Sequence, residues 1–352
     1  MLLFWSLFGI VCTLSVGVNS HVSDINLQNR WSAWKTLYNR SYINSTEESY
    51  RYNNWVNNLE DITIHNAKNL SWQKGLNMFS DMSLKEFKSK MATFSPINNN
   101  ICDKINNQSF HDSLRNMLSP SMGRRLLNIN RKILPPAVDW RTQSSVSPVE
   151  NQGMCNAAYA MASKSSIETL LKITTGVLYA LSTQQIIDCS GNFSNYDCRN
   201  GTIDQTFNYI IHNGLCMASD YSWKGYQGNC SSKLCRSVAN ISRCADLRTG
   251  DLYTTESIME FVLNLQPISA AIDATCLMSY VSGVISDDDC FKELNSYTSI
   301  VGYNRDTTVL GFWIAKSNFG TQFGIDGYFK ILMSRNVMGI ATYPSIPLMD
   351  EP

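Results

Sequence analysis

Eleven cysteines are spread through 352 residues, and their distribution limits the chain more than any other feature. Leaving aside Cys12, ten remain, and nine of those fall from Cys155 onward. Cysteine used at that density belongs to an oxidising compartment, where crosslinks supplement the hydrophobic core. Nine is odd, so at least one thiol of that block is free or pairs outside it.

The N-terminus agrees with export. "MLLFWSLFGIVCTLSVGVNS", residues 1–20, reads as a cleaved secretory signal peptide with cleavage before His21. Its apolar run of about 15 residues falls short of the roughly 20 that a span needs. N-x-S/T sequons at Asn39, Asn44, Asn69, Asn107, Asn192, Asn200, Asn229 and Asn240 fit a secretory glycoprotein. Lys+Arg and Asp+Glu are both 29, so no sequence-wide charge favours nucleic acid or anionic lipid as a partner.

Residues 25–90 read as a helical block. Glu47, Arg51, Trp55, Asn58, Ile62 and Asn66 recur at helical spacing, which places them on one face with a defined partner. Asn44, Ser45 or Thr46 can cap that helix, and Glu47 and Glu48 suit its first turn. Trp31 and Trp34 share a face of a preceding helix that packs across it. "GLNMFSD" sets Gly75, Asn77, Phe79 and Asp81 in strict alternation, the period of a strand, and "SLKEFKSKM" reads as a short helix capped by Ser83. Residues 92–134 lose periodicity and gain Asn, Ser and Pro. They form a linker whose Arg124, Arg125, Arg131 and Lys132 are open to proteolysis.

A new block starts with "PPAVDWR" near Pro135. Helices are expected over 156–173, around Ser182 to Asp188, and around Ile203 to His212 with Gly214 as the stop. From Pro267 the grain turns to short β runs: "ISAAIDA", "YTSIVGYN", "GFWIAKS" and "GYFKIL". A helical half followed by a β-rich half predicts an α+β body of two lobes with a cleft between them.

Taken in order, these strings resemble the papain-like cysteine peptidases of the cathepsin L and O kind. The stripe from Glu47 to Asn66 is similar to the ERFNIN motif of that family's propeptide, with Trp55 at the Phe place. Gly75, Asn77, Phe79 and Asp81 are similar to its GNFD motif. "PPAVDWR", "NQGMC", "LSTQQIIDCS", "PISAAIDA" and "DGYFKI" resemble landmarks of the mature domain. The resemblance implies a propeptide over 21–134 and a papain-like mature domain over 135–352, with a helical lobe at about 146–245 and a β-rich lobe at about 246–345. It implies the disulfides Cys155 with Cys198 and Cys189 with Cys230. Cys290 resembles a third half-cystine, but Met338 holds its usual partner's place, so Cys290 is free or re-paired, with Cys276 as a candidate. Cys216, Cys235 and Cys244 read as local loop staples.

Peptide hydrolysis of this kind needs a thiolate at a helix N-terminus, an imidazole base, an orienting carboxamide and oxyanion donors. The resemblance puts Ala158 of "CNAAY" at the nucleophile's place and Ser296 of "LNSYTSIVGYN" at the base's place. Ser317 of "KSNFG" stands for the orienting Asn, or Asn318 if the register slips by one. Only the oxyanion donor, Gln152, matches. A separation of about 140 residues between Ala158 and Ser296 fits the family. The single histidine of the mature block, His212, reads as a surface or capping residue. Loss of the nucleophile or the base alone already costs roughly 10⁶-fold in rate in a triad enzyme.

The resemblance also places Gly153, Tyr159, Arg199, Asn200, Gly201, Phe319 and Phe323 along the substrate cleft. There "CRNGT" adds bulk, and a sugar on Asn200 would stand at the rim. No metal and no cofactor are expected. The reading is a catalytically inactive homologue, extracellular or lysosomal. It would bind a peptide or protein in the cleft, or an active cathepsin-like protease through the propeptide block. The alternatives are a structural or storage glycoprotein on the same scaffold and an active cysteine-type endopeptidase.

Overall fold

Carboxamides on one helix face organise the N-terminal block. The computed structural model describes residues 25–91, 101–104, 134–231, 235–286, 290, 293–305 and 311–350. The expected signal peptide, Asn107 and the four basic residues of the expected linker lie outside them. Helix α1 (residues 25–37) packs Trp31 and Trp34, stacked 5.2 Å apart, against Trp55 of α2 (Ser45–Ala67). Asn44 caps α2, its Oδ1 accepting from the Glu47 N–H at 2.9 Å. In the expected stripe, Arg51, Asn58 and Asn66 face the 74–86 segment, while Trp55 turns to α1. Asn58 donates to the carbonyls of Ser80 and Met82 at 2.8 and 2.9 Å, and Arg51 meets Glu86 at 2.6 Å. Asn66 exchanges two bonds with the backbone of Lys74, the last residue of β1 (Trp72–Lys74).

The alternating Gly75–Asp81 stretch is not the strand its period predicts; β1 ends at Lys74 and a turn follows. Asn77 Oδ1 accepts from the Phe79 N–H at 2.9 Å, and Ser80 Oγ accepts from the Asn77 N–H at 2.8 Å. Short polar side chains thus give the backbone the partners that a ladder would have offered. Helix α3 (Leu84–Met91) follows, with Ser83 Oγ accepting from the Glu86 N–H.

The body holds β2 (Asp103–Lys104), β3 (Ala137–Asp139), α4 (Ala158–Thr175), α5 (Thr183–Cys189), α6 (Ile203–Asn213), β4 (Leu215–Cys216), β5 (Ser237–Ala239) and β6 (Arg243–Asp246). Then come α7 (Leu252–Leu263), β7 (Ile268–Ile272), β8 (Tyr280–Ile285), β9 (Ser296–Asn304), β10 (Phe312–Lys316), β11 (Tyr328–Leu332) and β12 (Pro344–Leu348). Helices α4 to α6 and strands β7, β9, β10 and β11 stand where the sequence puts them. Ser182 and Thr202 cap α5 and α6, and Gly214 ends α6 at φ 64°. Helix α7, capped by Asp251, was not foreseen.

The large sheet runs β1-β8-β11-β10-β9-β7-β12-β6-β2, with β3 added to β9. Pairing is antiparallel except for β8 with β11 and β6 with β2. One apolar core joins this sheet to α7; a second lies among α4, α5 and α6. This is an α+β body with a helical domain set before it, as the resemblance implies.

Five disulfides lie among the described residues. Cys155–Cys198 and Cys189–Cys230 are as the resemblance implied, and Cys276–Cys290 is the re-pairing considered above. Cys216–Cys235 is a local staple, but Cys244 is not. It pairs with Cys102, 142 residues upstream, which accounts for the odd count. Spacing could not reveal this bond, because the chain between the two cysteines carries an entire lobe.

Burial works against the Glu86 carboxylate, but hydrogen bonds from Arg51 and Lys90 outweigh it and hold its pKa below the usual range. A lowered carboxylate pKa stabilises the fold above its unfolded value, and that contribution is lost as pH falls through the folded value. Glu86→Gln is therefore expected to weaken the N-terminal block by about 1–3 kcal/mol near neutral pH. It should also flatten the acid limb of its stability. Urea titration followed by tryptophan fluorescence at several pH values, Trp31, Trp34 and Trp55 being the reporters, measures both effects.

Candidate functional site

Helix α4 starts at Ala158 with Ala157 as its N-cap, and no side chain caps it. The loop leading in is fixed from several sides. Gly153 takes a positive φ of 60°, and its N–H donates to Asn151 Oδ1 at 2.9 Å. Cys155 is bonded to Cys198, and the Asn156 N–H donates to the Cys198 carbonyl at 3.0 Å. Tyr159 is buried, donates its hydroxyl to the Asp197 carbonyl at 3.0 Å, and lies against Gly201. A Cβ on Gly201 would come within 2.5 Å of that ring, so glycine is required there for packing. Burial, followed by the nearby Asp197, raises the pKa of Tyr159.

From the opposite side come the first residues of β9 and the segment after β10. Ser296 and Ser317 are buried at 4% and 3% exposure, and Ala158 is at 5%. The residue that joins the two sides is Asn318. Its Nδ2 donates to the Tyr297 carbonyl at 2.8 Å, and its own carbonyl accepts from the Gln152 N–H at 2.8 Å. Ser317 turns inward, with Oγ accepting from the Phe319 N–H. The histidines in the described residues stand elsewhere: His65 packs on Trp72 in the N-terminal block, and His212 is exposed at the end of α6.

Other expected cleft residues divide by burial. Arg199 is exposed and pairs with Asp197 at 3.5 Å, and Asn200 is half-buried. Phe319 and Phe323 are buried, and Phe79 of the N-terminal block meets Phe319 edge-on at 5.0 Å. Six sequon asparagines, Asn39, Asn44, Asn69, Asn192, Asn229 and Asn240, are exposed.

Sequence reasoning missed the charges beneath the site. Glu150, Met161, Ala162, Lys164, Ser165, Ser299, Lys316, Ser317 and Asn318 line a cavity of about 10 Å³, the scale of one water. Lys316 Nζ donates to Ser147 Oγ at 2.9 Å and Ser165 Oγ at 3.3 Å, and Ser147 donates to Glu168. Lys164 meets Glu150 at 2.8 Å and Glu168 at 3.2 Å. Burial lowers the Lys316 pKa to about 8, against the opposing pull of Glu168. For Lys164 burial acts in the same direction, but Glu168 and Glu150 overcome it and the pKa is raised. A lysine of low pKa beside a hydroxyl is the chemistry of a general base, yet both serines are sealed from substrate. The group is a satisfied polar network. Its sequence trace is the i, i+4 pair Lys164 and Glu168 on a helix otherwise rich in Ala and Leu.

Among the described residues, no cluster of His, Cys, Asp and Glu could hold a metal, and no helix is long and apolar enough to cross a membrane.

Between pH 8 and the ordinary lysine value of 10.5, the unfolded chain binds a proton at residue 316 that the folded protein does not. Folding stability from this group therefore rises with pH across that window. Lys316→Met is expected to remove that rise, a difference of at most about 3 kcal/mol. The test is the urea midpoint of both proteins at pH 7, 8.5 and 10.

Comparison with known proteins agrees with this architecture over nearly the whole chain. The family description "papain family cysteine protease" matches residues 134–348, and "cathepsin propeptide inhibitor domain" matches residues 31–87. Cathepsin S of Bos taurus is 32% identical over 357 residues, covering 97% of this chain and 99% of that protein. Pro-cathepsin H of Bos taurus is 31% identical, covering 90% and 89%. Among solved structures, digestive procathepsin L2 from Tenebrio molitor larval midgut superimposes with a TM-score of 0.78 at 29% identity, covering 92% of this chain and 100% of that one.

Proposed function

The chain belongs to the papain family of cysteine proteases and carries the cathepsin propeptide inhibitor domain, and we propose that it is a catalytically silent member that acts by binding. The observation that carries the reading is Ala158 at the head of α4. A helix N-terminus favours an anion and lowers a thiol's pKa, but a methyl group has no lone pair to offer a carbonyl. The base and the orienting amide are replaced in the same reading, by Ser296 and Ser317. Asn318 does not restore them: its Nδ2 is held by the Tyr297 carbonyl, and the histidines among the described residues stand elsewhere, so its carboxamide has no imidazole to orient. Gln152 alone keeps its family role, and an oxyanion donor without a nucleophile gives binding and little else.

The ligand class that suits the fold is a peptide or protein segment. The intact N-terminal motifs support a second contact of the same kind, with an active cathepsin-like protease. Five disulfides and the exposed sequons support residence in the secretory pathway, outside the cell or in the lysosome.

The test is a quenched fluorescent peptide library presented to the protein with its N-terminal block removed, read for hydrolysis and, by equilibrium dialysis, for retention. The natural protein is expected to retain peptides without turning them over, and purified full-length protein is expected not to process itself at acid pH. A variant carrying Ala158→Cys, Ser296→His and Ser317→Asn is expected to gain turnover. Hydrolysis by the natural protein would overturn the reading. Neither hydrolysis nor retention would favour a structural glycoprotein.

A further inference from the structure

Cys102 lies before the 105–133 segment in sequence, and Cys244 lies on β6 inside the body, so Cys102–Cys244 joins the N-terminal block to the domain it precedes. Both cysteines are buried, at 3% and 2% exposure, in the core formed by α4, α5 and α6. Ile101 packs on the same core. The bond is reinforced where it emerges. Strand β2 follows at once and pairs in parallel with β6, Asp103 beside Ala245 and Lys104 beside Asp246. The same block pairs β1 antiparallel with β8, Trp72 beside Gly283, at the far margin of the sheet. Its Phe79 covers Phe319 between these two attachments.

A block held only by such contacts leaves by dilution once the connecting chain is cut. A crosslink makes every detachment intramolecular, so the block returns at high effective concentration. The disulfide is also poorly suited to be a switch: exchange requires a thiolate to reach a sulfur, and labile disulfides are exposed or strained. Here neither sulfur is open to solvent.

We propose that the N-terminal block is a permanent part of the working protein. Any cut between residues 104 and 134 leaves two chains joined through Cys102–Cys244, and the block stays seated over Phe319 and Phe323. A partner then meets the outer surface of the block and not the residues beneath it. This goes beyond the silent-member reading and holds whether or not the site turns over peptide.

The experiment uses the full chain purified without reductant. Brief trypsin treatment, with the cut located by N-terminal sequencing, is followed by gels with and without reductant and by gel filtration at pH 7 and pH 4. Non-reducing peptide mapping of the uncut protein reads the pairing directly. The expected result is one species without reductant and two with it, unchanged elution at both pH values, and Cys102 linked to Cys244. In a Cys102→Ser, Cys244→Ser variant the cut N-terminal fragment is expected to separate from the body at pH 4. Separation of the cut natural protein without reductant would overturn the proposal, as would alkylation of Cys102 in unreduced protein. If the double variant does not fold, gel and mapping of the natural protein decide alone. Peptide turnover by the body freed of the block would count against the silent reading and leave this one standing, whereas turnover by the cut, unreduced protein would count against both.

Discussion

Helix α4 is buried at every position from Ala158 to Leu171, and a helix sealed on all sides must find partners for its polar groups inside the protein. Those partners bind the two lobes together. Lys164 reaches Glu150, and the Glu168 carboxylate accepts from the Leu181 N–H at 2.8 Å and from Ser147. Ser166 meets Ser269 of β7 at 2.8 Å, and Lys316 of β10 closes the group at Ser165. Removing one member would strand a buried charge or hydroxyl, so the network is held by the cost of breaking it, whatever the chemistry above it. None of these bonds passes through Ala158 or Ser296, so the scaffold does not depend on the groups a peptidase would need there.

The fold was legible where local rules decide it. The stripe from Glu47 to Asn66 marked α2, and Gly214 marked the end of α6. It was illegible where side chains imitate backbone: Asn77 and Ser80 turned an alternating segment into a loop. Helix α7 was missed because "LYTTESIMEFVL" is apolar on most of its circumference and lies inside a β-rich stretch. Crosslinks divided in the same way. Short separations such as Cys276 to Cys290 could be anticipated, whereas Cys102 to Cys244 depends on tertiary placement alone.

At the candidate site only residue identities were legible in the sequence: Ala158, Ser296 and Ser317 are visible as letters. Their surroundings were not. No spacing announces that Asn318 links the Gln152 loop to β9, or that Lys316 lies under the site with a lowered pKa. Such features arise from elements that meet only after folding, when β10, α4 and the 147–150 loop converge. Phe319 and Phe323 illustrate the same limit. Read as lining an open cleft, they belong to a buried aromatic group that includes Phe79.

The two attachments of the N-terminal block have a meaning for solubility as well. A sheet ends in strands whose outer N–H and C=O groups lack ladder partners, and those rows invite pairing with another molecule. In this protein β1 occupies the outer row of β8 and β2 occupies that of β6. One stretch of chain thus supplies both end strands of the ten-stranded sheet and covers the two ends of the rest. Stripping it away would bare the outer rows of β8 and β6, each open to pairing with another chain.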